Sequence, residues 1–169
     1  HSYLCWSHND LAAHELDAGR LALAVGDVAG KGMPAALLMA LLQGSLRTLV
    51  SAGLRGEELV AKLNAHLCAN IPSNRLITLV YAELDPATGH LRYVNAGHNP
   101  PFLLTAGHPP ARLGATAIAL GITTDAEFQS MTLELDPGDR LVLYTDGITE
   151  AEDAADREYG DERLGAWLQ

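Results

Sequence analysis

The sequence predicts an α+β fold in which mainly antiparallel sheets are layered with helices. One apolar run of strand length is followed by two consecutive helical patterns, and from residue 75 onward the chain breaks into short β-type segments separated by Gly- and Pro-bearing turns. Its 169 residues suit one globular unit with a core of its own. No repeat, linker or low-complexity tract interrupts it.

In chain order, an irregular opening leads to the turn Asp17-Ala18-Gly19 and the run Leu21-Ala22-Leu23-Ala24-Val25, a strand that Gly26 is expected to end. Pro34 suits the first turn of a helix in which Leu38, Leu41, Leu42, Leu46 and Leu49 recur at helical spacing up to Gly53. A second helix starts near Gly56, with Leu59, Val60, Leu63 and Leu67 on one face and Glu57, Lys62 and Asn64 elsewhere, and Ile71-Pro72-Ser73 stops it. Leu76 to Tyr81, the turn Asp85-Pro86-Ala87-Thr88-Gly89 and Leu91 to Val94 read as a β-hairpin. Phe102-Leu103-Leu104, Phe128 to Leu135 and Leu141 to Tyr144 supply further strands, and a short helix starts near Asp161.

Composition narrows the function. A formal net charge of −10, with only 11 scattered Lys and Arg, argues against binding a nucleic-acid backbone. No uninterrupted apolar run approaches the roughly 20 residues of a membrane span, and no leader opens the chain, so no membrane partner and a cytoplasmic location are expected. Cys5 and Cys68 lack the paired spacing of a zinc or redox site and read as buried or semi-buried thiols. The seven histidines form no HxxxH or HExxH pattern.

Two segments carry candidate chemistry. In Gly26-Asp27-Val28-Ala29-Gly30-Lys31-Gly32 a carboxylate stands at the end of a buried strand, followed by a glycine-rich loop and a helix start. A phosphate-cradling P-loop is excluded, because the spacing is one residue short and the Ser/Thr that would hold magnesium is missing. A tight strand-to-helix turn with Asp27 as a helix cap is the competing reading of this segment. In Tyr144-Thr145-Asp146-Gly147-Ile148-Thr149-Glu150 an apolar strand again delivers an aspartate, here beside Gly147. Two carboxylates at strand ends can share a hard divalent cation, for which oxygen ligands suit magnesium or manganese better than zinc.

Taken together, Gly26 to Ala36, Asn95-Ala96-Gly97-His98-Asn99-Pro100-Pro101 and Leu143 to Ala151 resemble, in order and spacing, the SpoIIE branch of the PPM metal-dependent serine/threonine phosphatases. The likeness runs from about Leu16 and includes Pro137-Gly138-Asp139 and Glu158-Tyr159-Gly160. It implies a β-sandwich flanked by helices, with two Mn²⁺ or Mg²⁺ ions between the sheets and hydrolysis of phosphoserine or phosphothreonine. Asp27 would bridge both metals, the Val28 carbonyl would serve the second and Asp146 the first. It also implies a phosphorylated STAS-type anti-anti-sigma factor as partner and a sensor domain upstream.

Lys31 is a candidate for substrate phosphate, with a solvated loop lysine as the alternative. His98 is read as a proton donor or, in preference, as a hydrogen bonder fixing its loop. Glu150 is read as a helix-start residue. Relatives carry a further aspartate in a Gly-Gly-Asp-aromatic setting before Asp17, which this sequence lacks; Asp10 is a substitute, with Ser2 or Asn9 as neutral occupants. A closing-strand aspartate would fall beyond Gln169. The chain is therefore expected to be one domain, 1–169, without the usual first-strand start and closing strand, with weak metal binding and with uncovered edges that a homodimer could pair. A pseudophosphatase serving as an interaction module is the reading from another class.

Overall fold

The computed structural model describes residues 11–30 and 32–169. Strands β1 (Leu11–Glu15) and β2 (Leu21–Val28) are joined through a 3₁₀ turn at Asp17–Gly19, and helices α1 (Met33–Ser51) and α2 (Gly56–Asn70) follow. Then come β3 (Ile77–Leu84), β4 (His90–Ala96), β5 (Phe102–Leu104), β6 (Ala111–Arg112), β7 (Met131–Glu134), β8 (Arg140–Val142), α3 (Asp146–Thr149) and α4 (Asp161–Trp167). One antiparallel sheet has the order β1-β2-β3-β4-β7 and the other the order β6-β5-β8.

Alternation along the strands assigns the two faces of the larger sheet. Ala22, Ala24 and Val28 of β2, Ile77, Leu79 and Tyr81 of β3, and Val94 and Ala96 of β4 join one core with Leu38, Leu42 and Leu46 of α1 and Leu59, Leu63 and Leu67 of α2. The alternate residues face the smaller sheet, where Ala82, Leu91 and Tyr93 meet Leu113 and Leu141. The expected α+β sandwich is therefore present, with the helix pair on one side. Burying Leu59, Leu63 and Leu67 completely contributes roughly 2 kcal/mol each, which exceeds what helix propensity supplies. By length and composition α1 is also apolar enough to cross a membrane, although no uninterrupted apolar run marks it. Here its Leu38, Leu42, Leu46 and Val50 stripe is in the core.

Several elements differ from expectation. Gly26 does not end β2, which runs on through Asp27 to Val28. A Cβ at Gly26 would lie 2.9 Å from the Thr78 carbonyl oxygen and 3.2 Å from Leu42 Cδ2, so the glycine admits α1 against the strand rather than stopping it. The irregular opening contains β1, paired to β2 with Leu11 opposite Val25 and Glu15 opposite Leu21. Phe128 is buried outside β7, and β8 stops before Tyr144. Asn64, expected away from the apolar face of α2, is 1% exposed.

The β3–β4 hairpin turns at Gly89, whose φ of +81° L side chains rarely adopt. An added Cβ there would sit 2.1 Å from the Leu135 carbonyl oxygen. Gly89→Ala is expected to destabilise the fold by about 3 kcal/mol, the sum of left-handed strain and displacement of the segment after β7. The urea unfolding midpoint would measure it, and a cost below about 1 kcal/mol would contradict the packing described.

Candidate metal centre

Asp27 lies one residue before the end of β2, is half-buried, and stands opposite Thr78 of β3. Since Val28 faces the helices, Asp27 and Thr78 share the face turned toward the smaller sheet. The Thr78 hydroxyl meets His98 Nδ1 at 2.8 Å, and His98 Nε2 meets the Tyr144 carbonyl at 3.0 Å. A carbonyl can only accept, so Nε2 carries the proton and, in the neutral ring, Nδ1 accepts from Thr78. His98 is 4% exposed, and its backbone N–H donates to Asn95 Oδ1 at 2.9 Å while Asn95 Nδ2 donates back to its carbonyl at 3.2 Å. The histidine thus ties the strand neighbouring Asp27 to the segment entering Asp146.

Asp146 is not at a strand end. Val142 closes β8, Thr145 caps α3, and Asp146 is the first residue of that single turn. Among the described residues no hydrogen bond or ion pair engages its half-buried carboxylate. Its carbonyl accepts from the Glu150 N–H at 2.7 Å and from the Thr149 hydroxyl at 3.3 Å. Glu150 is consequently the C-cap of α3, not a helix start: four residues are enough for one turn, and Thr145 already occupies the N-cap. Gly147 is exposed, and a Cβ there would meet only Thr145 Oγ1, at 3.8 Å, so packing does not demand a glycine.

Val28 is buried at the end of β2, opposite Ile77. Just beyond it, Arg75 Nη1 donates to the Ala29 carbonyl at 2.7 Å, and the Ala29 N–H donates to Leu76 at 3.1 Å. A Cβ on Gly30 would fall 2.0 Å from Arg75 Nη1. Arg75 therefore fixes the loop after Asp27, a role that no sequence pattern announced. Asp10 and Lys31 lie outside the described residues, as do Ser2, Cys5 and Asn9. Among the described residues no group of three or more His, Cys, Asp or Glu could hold a metal. Asp27 and Asp146, both half-buried, and the Val28 carbonyl offer oxygen donors only, the chemistry that suits a hard divalent cation.

A second network lies under Tyr144. Its hydroxyl donates to Asp161 Oδ1 at 2.9 Å and accepts from Arg112 Nη2 at 2.8 Å, and Arg112 also pairs with Asp161 Oδ2 at 3.0 Å. Burial, opposed in part by the neighbouring Arg112 charge, leaves the Tyr144 phenol pushed up to about 12. At Asp161 burial acts upward, but hydrogen bonds from Arg112 and Tyr144 outweigh it and hold the carboxyl below its ordinary 3.8. A lowered folded value means stability that is complete above the ordinary value and is lost as pH falls through the folded one. The stability gap between the parent and Asp161→Asn is therefore expected to close below pH 3.8, checked by urea midpoints at pH 7 and pH 3. Since the pair is about two-fifths exposed, the gap at pH 7 is at most about 1 kcal/mol.

The fold and site define an α+β sandwich of the PPM phosphatase type. The chain belongs to the Stage II sporulation protein E (SpoIIE) family, whose model matches residues 17–169, and within it to the RsbU/RsbP-like branch. It is 31% identical over 135 residues to the phosphoserine phosphatase RsbU of Bacillus subtilis, covering 79% of this chain and 40% of RsbU. The solved RsbU and RsbW domains of Rv1364c from Mycobacterium tuberculosis match with a TM-score of 0.75 and 31% identity, over 88% of this chain and 42% of that one. The PP2C phosphatase domain of SpoIIE from Bacillus subtilis shares the fold, with a TM-score of 0.79 at 20% identity over 92% of this chain and 44% of that one. The chain spans less than half the length of each of these relatives.

Proposed function

We propose that this domain hydrolyses phosphoserine or phosphothreonine on a regulatory protein with the help of divalent metal. The observation that carries the reading is the Thr78–His98–Tyr144 bridge, which ties β3, the strand paired with Asp27, to the segment entering Asp146. Asp27, the Val28 carbonyl and Asp146 would hold Mn²⁺ or Mg²⁺. Such ions supply a water of lowered pKa and neutralise charge on the phosphoryl group. In this scheme Asp27 and Asp146 orient the centre, and His98, with both ring nitrogens engaged, holds its geometry rather than moving protons. Family kinship with RsbU supports a phosphorylated STAS-type anti-anti-sigma factor as substrate, and the same reading includes an upstream sensor domain and a cytoplasmic setting.

The test is hydrolysis of p-nitrophenyl phosphate and of a phosphoserine peptide with Mn²⁺ and with EDTA. Turnover that requires Mn²⁺ and stops with EDTA is expected. Absence of turnover alongside retained partner binding would favour a pseudophosphatase, for which the lack of a three-ligand cluster among the described residues is the supporting observation.

A further inference from the structure

We propose that Asp161 and Arg112 are positioning residues for Asp146, acting through the side chain of Tyr144. The inference rests on the reading of Asp146 as a metal ligand and deepens it. Tyr144 stands two residues before Asp146, is 4% exposed, and is restrained at three places. Its carbonyl receives His98 Nε2–H, and its ring stacks on Phe102 with centroids 5.6 Å apart. Its hydroxyl both donates and accepts, to Asp161 and from Arg112. Arg112 closes the triangle on Asp161 while its guanidinium lies 5.0 Å over the Phe102 ring.

Packing alone would be served by a phenylalanine, since a stacked ring can still slide within its plane. The two hydrogen bonds on the hydroxyl remove that freedom, and a buried hydroxyl is costly unless such partners are supplied. The partners come from β6 and from the first residue of α4, segments far apart in sequence. Only Thr145, in an extended conformation, separates the anchored tyrosine from Asp146. Docking of α4 through Leu164 and Asp161 is in this way coupled to the place of the Asp146 carboxylate. From the sequence alone Asp161 marks only the start of a short helix.

Outer-shell groups that orient a metal ligand typically change metal affinity by about 10- to 100-fold when removed. Tyr144→Phe and Asp161→Ala are therefore expected to weaken Mn²⁺ binding about 10-fold by titration calorimetry. Amide exchange over 145–150 should rise in the metal-free protein, and Asp161→Asn, which still accepts from Tyr144, should restore much of both. The kcat for p-nitrophenyl phosphate should fall with KM nearly unchanged. Parental Mn²⁺ affinity and exchange in Tyr144→Phe and Asp161→Ala, with Asp146→Asn failing to bind Mn²⁺, would overturn the positioning role alone. Parental Mn²⁺ affinity in Asp146→Asn would remove the ligand assignment and the inference with it. Because Tyr144→Phe retains the ring, it keeps the test valid even if Asp161→Ala releases α4.

Discussion

Asp27→Asn is expected to lower kcat/KM for Mn²⁺-dependent phosphomonoester hydrolysis about 1,000-fold, and Asp27→Asn/Asp146→Asn to lose little more than either single replacement. An amide keeps the size of the carboxylate while removing the charge that holds a cation. Metal-supplied charge stabilisation is worth several kcal/mol, and each 1.36 kcal/mol is about tenfold in rate. Sub-additivity follows from function as a unit: once one ligand is gone the centre is not assembled, and the second has little left to contribute. The competing reading, Asp27 as a helix cap, predicts something else. A cap is worth about 1 kcal/mol of stability and would leave turnover per folded molecule unchanged. The structure already weakens that reading, since Asp27 lies within β2 and the N-cap of α1 is Gly32. Steady-state kinetics of the three variants, with unfolding midpoints as a control on folding, separate the two. Independent, multiplicative losses in the double variant would show that the carboxylates do not serve one centre.

How far the residues could be read without coordinates depended on how local each determinant is. The two helices and the β3–β4 hairpin are written in nearby spacing, as leucines at helical intervals and as a turn at Asp85–Gly89, and they were legible. β1 was not, because Leu-Ala-Ala-His-Glu has no β-branched or aromatic residue and becomes a strand through its partner β2. Gly26 misled in the other direction, since a glycine required by a neighbouring helix looks the same as one that ends a strand. The chemistry divides in the same way. Asp27 and Asp146 stand out through their glycine-flanked segments, and His98 links Tyr144, two residues before Asp146, to Thr78 on the strand paired with Asp27. The groups that fix those segments, Arg75 on the Ala29 carbonyl and Asp161 with Arg112 on the Tyr144 hydroxyl, act across 46, 17 and 32 residues of chain. Nothing in their immediate neighbours marks them.

Asn64 shows the same limit with a large energetic consequence, and Asn64→Ala is expected to destabilise the protein by about 3 kcal/mol. From within α2 its side chain accepts from the Gly121 N–H at 2.9 Å and donates to the Thr123 carbonyl at 2.9 Å. These bonds pin a loop that also bridges Leu120 to Ile77 and Ala117 to Ala96. The loop therefore abuts both the start of β3, beside Thr78, and the end of β4, beside His98. Alanine would leave the buried Gly121 N–H without a partner, at about 1–3 kcal/mol, and would also lose the bond to the carbonyl of exposed Thr123, at about 1 kcal/mol, together a sizeable part of the 5–15 kcal/mol typical of a domain. Asn64→Asp would keep an acceptor for the Gly121 N–H but set a buried carboxylate oxygen against the Thr123 carbonyl, so at pH 7 it is expected to cost at least as much as alanine. A lowered urea midpoint with an unchanged slope, together with faster amide exchange at Leu120 and Gly121, is the expected signature. A cost below 1 kcal/mol would mean that the loop is held by Leu120 and its neighbours and that the amide on α2 is incidental.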